Sequence, residues 1–282
     1  LWVEDGRVDE IPFTAQVQET ITQQVYNPFP VDDGPLDVKL MRWHTASPDG
    51  ATLAFVALDR IWMMELPAGT PRRLTDESSG AQEYSPAWSP DGRSIAFTTW
   101  SDDDGGALWT VGASGGAPTR LTTLDGMYLN PTWSPDGGSI VVARGSGEML
   151  RGRLPSDEPW FMLESVPSGG GATTPLVEVL AGRGSHVVAP KFGPDGRIFF
   201  VESGTGFRSI QPDGTDARTH AVIEASDEAS PSPDGRWIGF SRGDNMHLTP
   251  MTWPGAGGDP VEISVESPAL PVTRLSWEGG NL

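Results

Sequence analysis

The chain has 282 residues, a formal net charge of −19, 35 glycines, 26 prolines and no cysteine. Without cysteine there are no disulfides, thiolate nucleophiles or cysteine zinc sites, and so acidic a surface repels nucleic-acid phosphates and anionic lipid. No apolar run is long enough for a membrane-spanning helix, and eleven tryptophans among frequent turn formers describe many short strands instead of a disordered chain.

In chain order, residues 1–5 (LWVED) read as the third strand of a blade and residues 11–21 as its fourth. The tetrapeptide Ser-Pro-Asp-Gly then begins at Ser47, Ser89, Ser134 and Ser232, with a Gly-Pro-Asp-Gly variant at Gly193. The steps between starts are 42, 45, 59 and 39 residues, and propeller blades recur at about 40–50 residues. Each tetrapeptide is expected to be a tight turn: Pro48, Pro90, Pro135, Pro194 and Pro233 fix φ. Asp49, Asp91, Asp136, Asp195 and Asp234 cap the turn through their side chains, and Gly50, Gly92, Gly137, Gly196 and Gly235 take positive φ.

The clearest copy runs EYSPAWS, PDGR, SIAFTTW, SDDDGG, ALWTVGA, SGG and PTRLTT, which alternates strands with turns. Ile95 and Phe97 alternate with period two, the mark of a strand. A sheet this thin must be covered by its neighbours, so the fold class is all-β, a propeller of about six four-stranded antiparallel blades. Trp88 and Trp133 hold equivalent positions before the turn and are expected to pack between blades.

The longest step holds about fourteen extra residues between Ser134 and Gly193. Arg144, Arg151 and Arg153 gather positive charge there, and Trp160 and Phe161 add apolar area. Long propeller loops carry contacts, so Arg151, Arg153, Trp160 and Phe161 are candidate interface residues, against the alternative of a lengthened hairpin. Residues 275–279 (LSWEG) read as the start of a first strand, with Trp277 at the place of Trp88. The whole chain, 1–282, is thus read as one propeller domain with part-blades at 1–30 and 275–282. It is expected to be an excerpt of a longer polypeptide.

Candidate chemistry is sparse. Gly112-Ala113-Ser114-Gly115-Gly116 fits G-x-S-x-G, but it falls between two strands of a blade, where a nucleophile elbow needs a strand-to-helix turn. Residues 101–106 (SDDDGG) offer calcium-type oxygens but lack the distal glutamate of a calcium loop, and a hairpin turn is the simpler reading. His44 could serve a ligand near a propeller axis, or be a packed strand residue. The four histidines, 44, 186, 220 and 247, form no His-x-His pair. No catalytic, cofactor or metal residue is identified in this chain, and there is no phosphate loop.

The segments LAFVALDRIWMMELPAGTPRRLT, YSPAWSPDGRSIAFTTWSDDDGGALWTV and GGAPTRLT resemble TolB-like propeller repeats of periplasmic bacterial proteins. DDGPLDVKLMRW, SIQPDGTDARTH, PSPDGRWIGF and LPVTRLSWEGGNL resemble, in order and spacing, the propeller that precedes the catalytic domain of large secreted bacterial amidohydrolases. The resemblance implies a non-catalytic propeller that braces or gates a downstream metal-dependent hydrolase domain, periplasmic or secreted, with any divalent metal held by that absent domain. The alternatives are a stand-alone TolB-like scaffold for a protein or peptide and, more remotely, the gating propeller of a prolyl-oligopeptidase-like peptidase.

Overall fold

A computed structural model describes residues 2–4, 7–9, 14–16, 18, 34, 38–75, 80–148, 150–151, 160–181, 188–223, 228–243, 245–251, 259–266 and 270–276. The chain divides into two units, Leu1–Asp37 and Val38–Leu282. In the first, Trp2–Glu4 pairs antiparallel with Arg7–Asp9, Val3 opposite Val8. A strand thus forms within 1–5, but its partner lies ahead of the segment 11–21, whose described residues 14–16 and 18 are not in strands.

The second unit is an all-β propeller, with no helix among its described residues. Blade 1 is built from Arg42–Ala46, Thr52–Ala57, Arg60–Glu65 and Arg72–Arg73. Blade 2 follows with Gln82–Trp88, Ser94–Ser101, Gly105–Gly112 and Thr119–Arg120. Blade 3 contains Met127–Trp133, Ser139–Gly145, Trp160–Pro167 and Thr174–Leu180. Blade 4 comprises Lys191–Phe192, Ile198–Glu202, Gly206–Ile210 and Arg218–Ile223. Blade 5 has Ala229–Pro231, Trp237–Arg242, Asn245–Pro250 and Thr273–Arg274.

Five blades are therefore described, where the sequence suggested about six. The larger number counts the terminal segments as one more blade. Leu275 instead finishes blade 5: its N–H donates to Met246 O, and the Ser276 hydroxyl accepts the Met246 N–H at 2.9 Å. Trp277 lies outside the described residues. The same device closes blade 2, where Leu121 N–H donates to Leu108 O and the Thr122 hydroxyl accepts the Leu108 N–H at 3.0 Å. A hydroxyl after the fourth-strand leucine thus continues a ladder that the two-residue strand has stopped supplying.

The radial order follows from two-sided burial. Ile95 and Phe97 face Val56, Ile61 and Met63 of blade 1, while Ala96 between them joins Ile140 and Val142 of blade 3. Val141 and Ala143 turn the other way, onto Ile198 and Phe200 of blade 4, and Phe199 faces Ile238 and Phe240 of blade 5. Period-two alternation thus splits each middle blade's apolar residues between two neighbours. Four clusters at four blade junctions form the core.

One element has no counterpart in the repeat. Between the third and fourth strands of blade 5, Val261–Ile263 pairs in parallel with Arg218–Ile223, giving blade 4 a fifth strand. Ile263 enters the core between blades 4 and 5.

Candidate functional site

The Ser-Pro-Asp-Gly turns are structural. In all four copies the serine hydroxyl donates to the aspartate carboxylate at 2.6 Å. It also accepts the N–H of Thr52, Ser94, Ser139 or Trp237. The carboxylate accepts the N–H of Ala51, Arg93, Gly138 or Arg236. The serine hydroxyl, foremost, holds Asp49, Asp91 and Asp136 below the usual carboxylate range, and holds Asp234 at about 2. Gly50, Gly92, Gly137, Gly196 and Gly235 all have φ between 67° and 77°. The turns also nest: a Cβ added to Gly92 would sit 3.7 Å from Pro48, one on Gly137 3.9 Å from Pro90, and one on Gly235 2.7 Å from Pro194. The variant turn has its own cause, because a Cβ at Gly193 would lie 2.4 Å from the Phe199 ring. Serine is excluded there, and Pro194, Asp195 and Gly196 keep the turn through Gly196 N–H to Gly193 O and Arg197 N–H to Asp195 Oδ1.

The first strands carry a second recurring device. Trp43, Ser85 and Asn130, at equivalent places, have φ of 46°, 48° and 49°, and each sits at a register shift against its second strand. A left-handed non-glycine residue costs on the order of 1 kcal/mol or more. The shifts direct the strands around a space of about 410 Å³. Its walls include Trp43, His44, Trp88, Asn130, Trp133 and Lys191, contributed by the first strands of blades 1 to 4. Ser85 Oγ donates to Asn130 Oδ1 at 3.2 Å, and Asn130 Nδ2 donates to Val188 O at 3.2 Å. Trp88 Nε1 donates to Thr45 O and Trp133 Nε1 to Ala87 O. Both indoles therefore bridge to the preceding blade, as their sequence position suggested.

The other candidates resolve as follows. Residues 112–116 form a turn, with Gly115 N–H donating to Gly112 O. Residues 101–106 form a hairpin in which Ser101 pairs with Gly105 and Asp102 accepts from Trp100 Nε1. Among the described residues, no three His, Asp or Glu side chains converge as a metal site. The insertion extends the hairpin between the second and third strands of blade 3. Its Arg151 sits over the Trp100 ring at 5.2 Å and pairs with both Asp125 oxygens at 2.7 Å. Arg144 is bound by buried Glu164, and Arg153 lies outside the described residues. Phe161 is buried in the core between blades 3 and 4, which removes it from any surface contact. Trp160 beside it is 50% exposed. The alternation that marks a strand puts these two neighbours on opposite sides.

The groups best suited to chemistry are enclosed. Ser209 Oγ lies 2.6 Å from His220 Nε2 and accepts from Arg197 Nε at 2.7 Å, all three residues buried. Burial first, then the charges of Arg197 and Arg218, push His220 down to about 4. Glu83 is likewise buried, accepting the Ile61 N–H and the Thr75 hydroxyl, both at 2.8 Å, and so ties blade 2 to blade 1. Burial raises its pKa. Neither set was legible beforehand, since nothing local to Glu83 or Ser209 marks it.

This geometry defines a β-propeller, part of which is similar to the TolB propeller family. Residues 43–155 match the family model of the TolB beta propeller domain. Among solved structures, a protein assigned as TolB from Agrobacterium tumefaciens superposes with TM-score 0.58 at 22% identity, covering 83% of this chain and 80% of that one. TolB from Acinetobacter baumannii gives 0.55 at 15%, covering 85% and 53%. Oligogalacturonate lyase from Vibrio parahaemolyticus gives 0.54 at 11%, covering 74% and 62%. At these identities the likeness is one of fold, and the chain spans less than two thirds of the last two proteins. No curated protein sequence matches.

Proposed function

We propose that this chain is a non-catalytic docking propeller. One observation carries the reading: the Ser-His pair and the carboxylate of Glu83 are sealed inside the blades, whereas the accessible concave surface between the first strands offers mainly tryptophan, proline and neutral polar side chains with one lysine and one histidine. Such a surface binds and orients. The resemblance to secreted amidohydrolases makes the partner a downstream metal-dependent hydrolase domain, which the propeller braces or gates. That domain would hold any divalent metal, and the protein would be periplasmic or secreted. The TolB structures favour a second reading, a stand-alone scaffold for a separate protein or peptide.

The test is to read the gene beyond Leu282, express the whole polypeptide, nick it by limited proteolysis and follow the propeller by gel filtration. Bracing is supported if the propeller co-elutes with a hydrolase fragment and Trp160→Ala weakens that association. A propeller that elutes alone contradicts bracing, and a gene ending near Leu282 moves the choice to the scaffold.

A further inference from the structure

We propose that the space between the first strands is an anion site, in which the Lys191 ammonium takes a carboxylate from a peptide segment. This rests on the docking reading above and names the chemistry of the same surface. The chain has two lysines against seventeen arginines and a net charge of −19, so a lysine in a concavity is unusual here. Among the described residues, no carboxylate lines that concavity. The Lys191 backbone pairs with Phe199, while the Lys191 side chain makes no hydrogen bond or ion pair among the described residues. Its side chain is accessible yet walled in by the first strands. That confinement lowers its pKa, opposed by the charge of Glu228 in blade 5.

The surrounding groups are arranged around it. Ser85 and Asn130 spend their side-chain hydrogen bonds linking blade 2 to blade 3 and blade 3 to Val188, just ahead of blade 4, and the Trp88 and Trp133 indoles donate to backbone. This leaves Lys191 as the one ammonium facing an incoming ligand, with His44, Thr45 and Thr132 as further polar groups of the lining, while Arg42 lies over the Trp43 ring at 5.9 Å and adds a cation beside the rim. An ammonium without a partner, flanked by aromatic and proline walls, suits a carboxylate next to a flat or apolar side chain. A neutral segment could offer Lys191 only a carbonyl oxygen, a weaker acceptor than a carboxylate, and a cationic one would be repelled. A terminal carboxylate and that of an acidic side chain present the same atoms, and the test separates the two.

Two lysines make the test clean. Reductive ¹³C-methylation of the intact chain gives two lysine side-chain signals, assigned with Lys39→Met. Peptide pairs are then titrated: Ac-Gly-Trp against its C-terminal amide for a terminal carboxylate, and Ac-Glu-Trp-NH₂ against Ac-Gln-Trp-NH₂ for a side-chain one. The expected result is that at least one acidic peptide moves the Lys191 signal and binds about tenfold tighter than its neutral twin, which is about 1.4 kcal/mol. This preference should survive in Lys39→Met and, followed by calorimetry, vanish in Lys191→Met and Lys191→Gln with unchanged melting. Equal binding of acidic and neutral twins, no binding of any, or a preference that survives Lys191→Met overturns the proposal. If co-elution with a partner persists alongside such a result, docking stands and the carboxylate anchor falls.

Discussion

Blades 2 and 4 place an arginine at the same point of the repeat, directly after Pro-Asp-Gly, and use it oppositely. Arg93 is 84% exposed and, among the described residues, its side chain pairs with Asp91 of its own turn. Arg197 is 4% exposed and holds Ser209 and Asp216. The difference starts at the residue before the turn. Blade 2 has Ser89, whose hydroxyl supplies the turn's bonds. Blade 4 has Gly193, forced by Phe199, so the turn loses that hydroxyl. Blade 4 then carries a buried polar network in place of a self-contained turn, and it accepts a fifth strand. Identical motif letters do not guarantee identical energetics when the neighbouring hairpin differs.

Removing the two arginines should break the comparison most visibly. Arg197→Ala strands a buried hydroxyl and imidazole and should lower stability by about 3 kcal/mol. Arg93→Ala, at the surface, should change it by less than about 0.5 kcal/mol, with both read from urea unfolding midpoints. Next comes the turn itself. Gly193→Ser restores the consensus letters, yet its Cβ meets Phe199, so a loss of about 1–3 kcal/mol is expected. The double variant with Phe199→Leu should recover part of it. In blade 2, Ser89→Ala removes the hydroxyl without a clash and should cost about 1–2 kcal/mol.

The smallest effect is in the pH dependence. His220 titrates near 4 in the fold against an ordinary 6.5, so unfolding takes up a proton between those values. Its contribution is present above pH 6.5 and drains as pH falls toward 4. The turn aspartates have lowered values, so theirs is present above about 3.8 and is lost only at lower pH. His220→Gln should therefore flatten the midpoint between pH 6.5 and 4 and leave the steeper acid limb. An unchanged slope would mean that His220 is not held neutral.

Much of the fold was legible because its determinants are local. Ser-Pro-Asp-Gly names its own turn, Ile95 and Phe97 name a strand, and the tryptophan before the turn names a blade junction. What could not be read depends on distance. Phe161 and Trp160 are adjacent, and only the register of Trp160–Pro167 says which is buried. Val261–Ile263 carries no repeat signature because it borrows the edge of another blade. Lys191 resembles any strand lysine until first strands from three other blades surround it.

The direct test of the docking surface is photo-crosslinking in the full gene product. Trp43 is 39% exposed at the rim of the central space, and Leu66 is 40% exposed beyond the third strand of blade 1. With benzoylphenylalanine at each in turn, adducts to a flanking domain or a partner are expected from position 43 and not from 66. Adducts from 66 alone, or equal yields from both, would contradict a docking surface centred on the first strands.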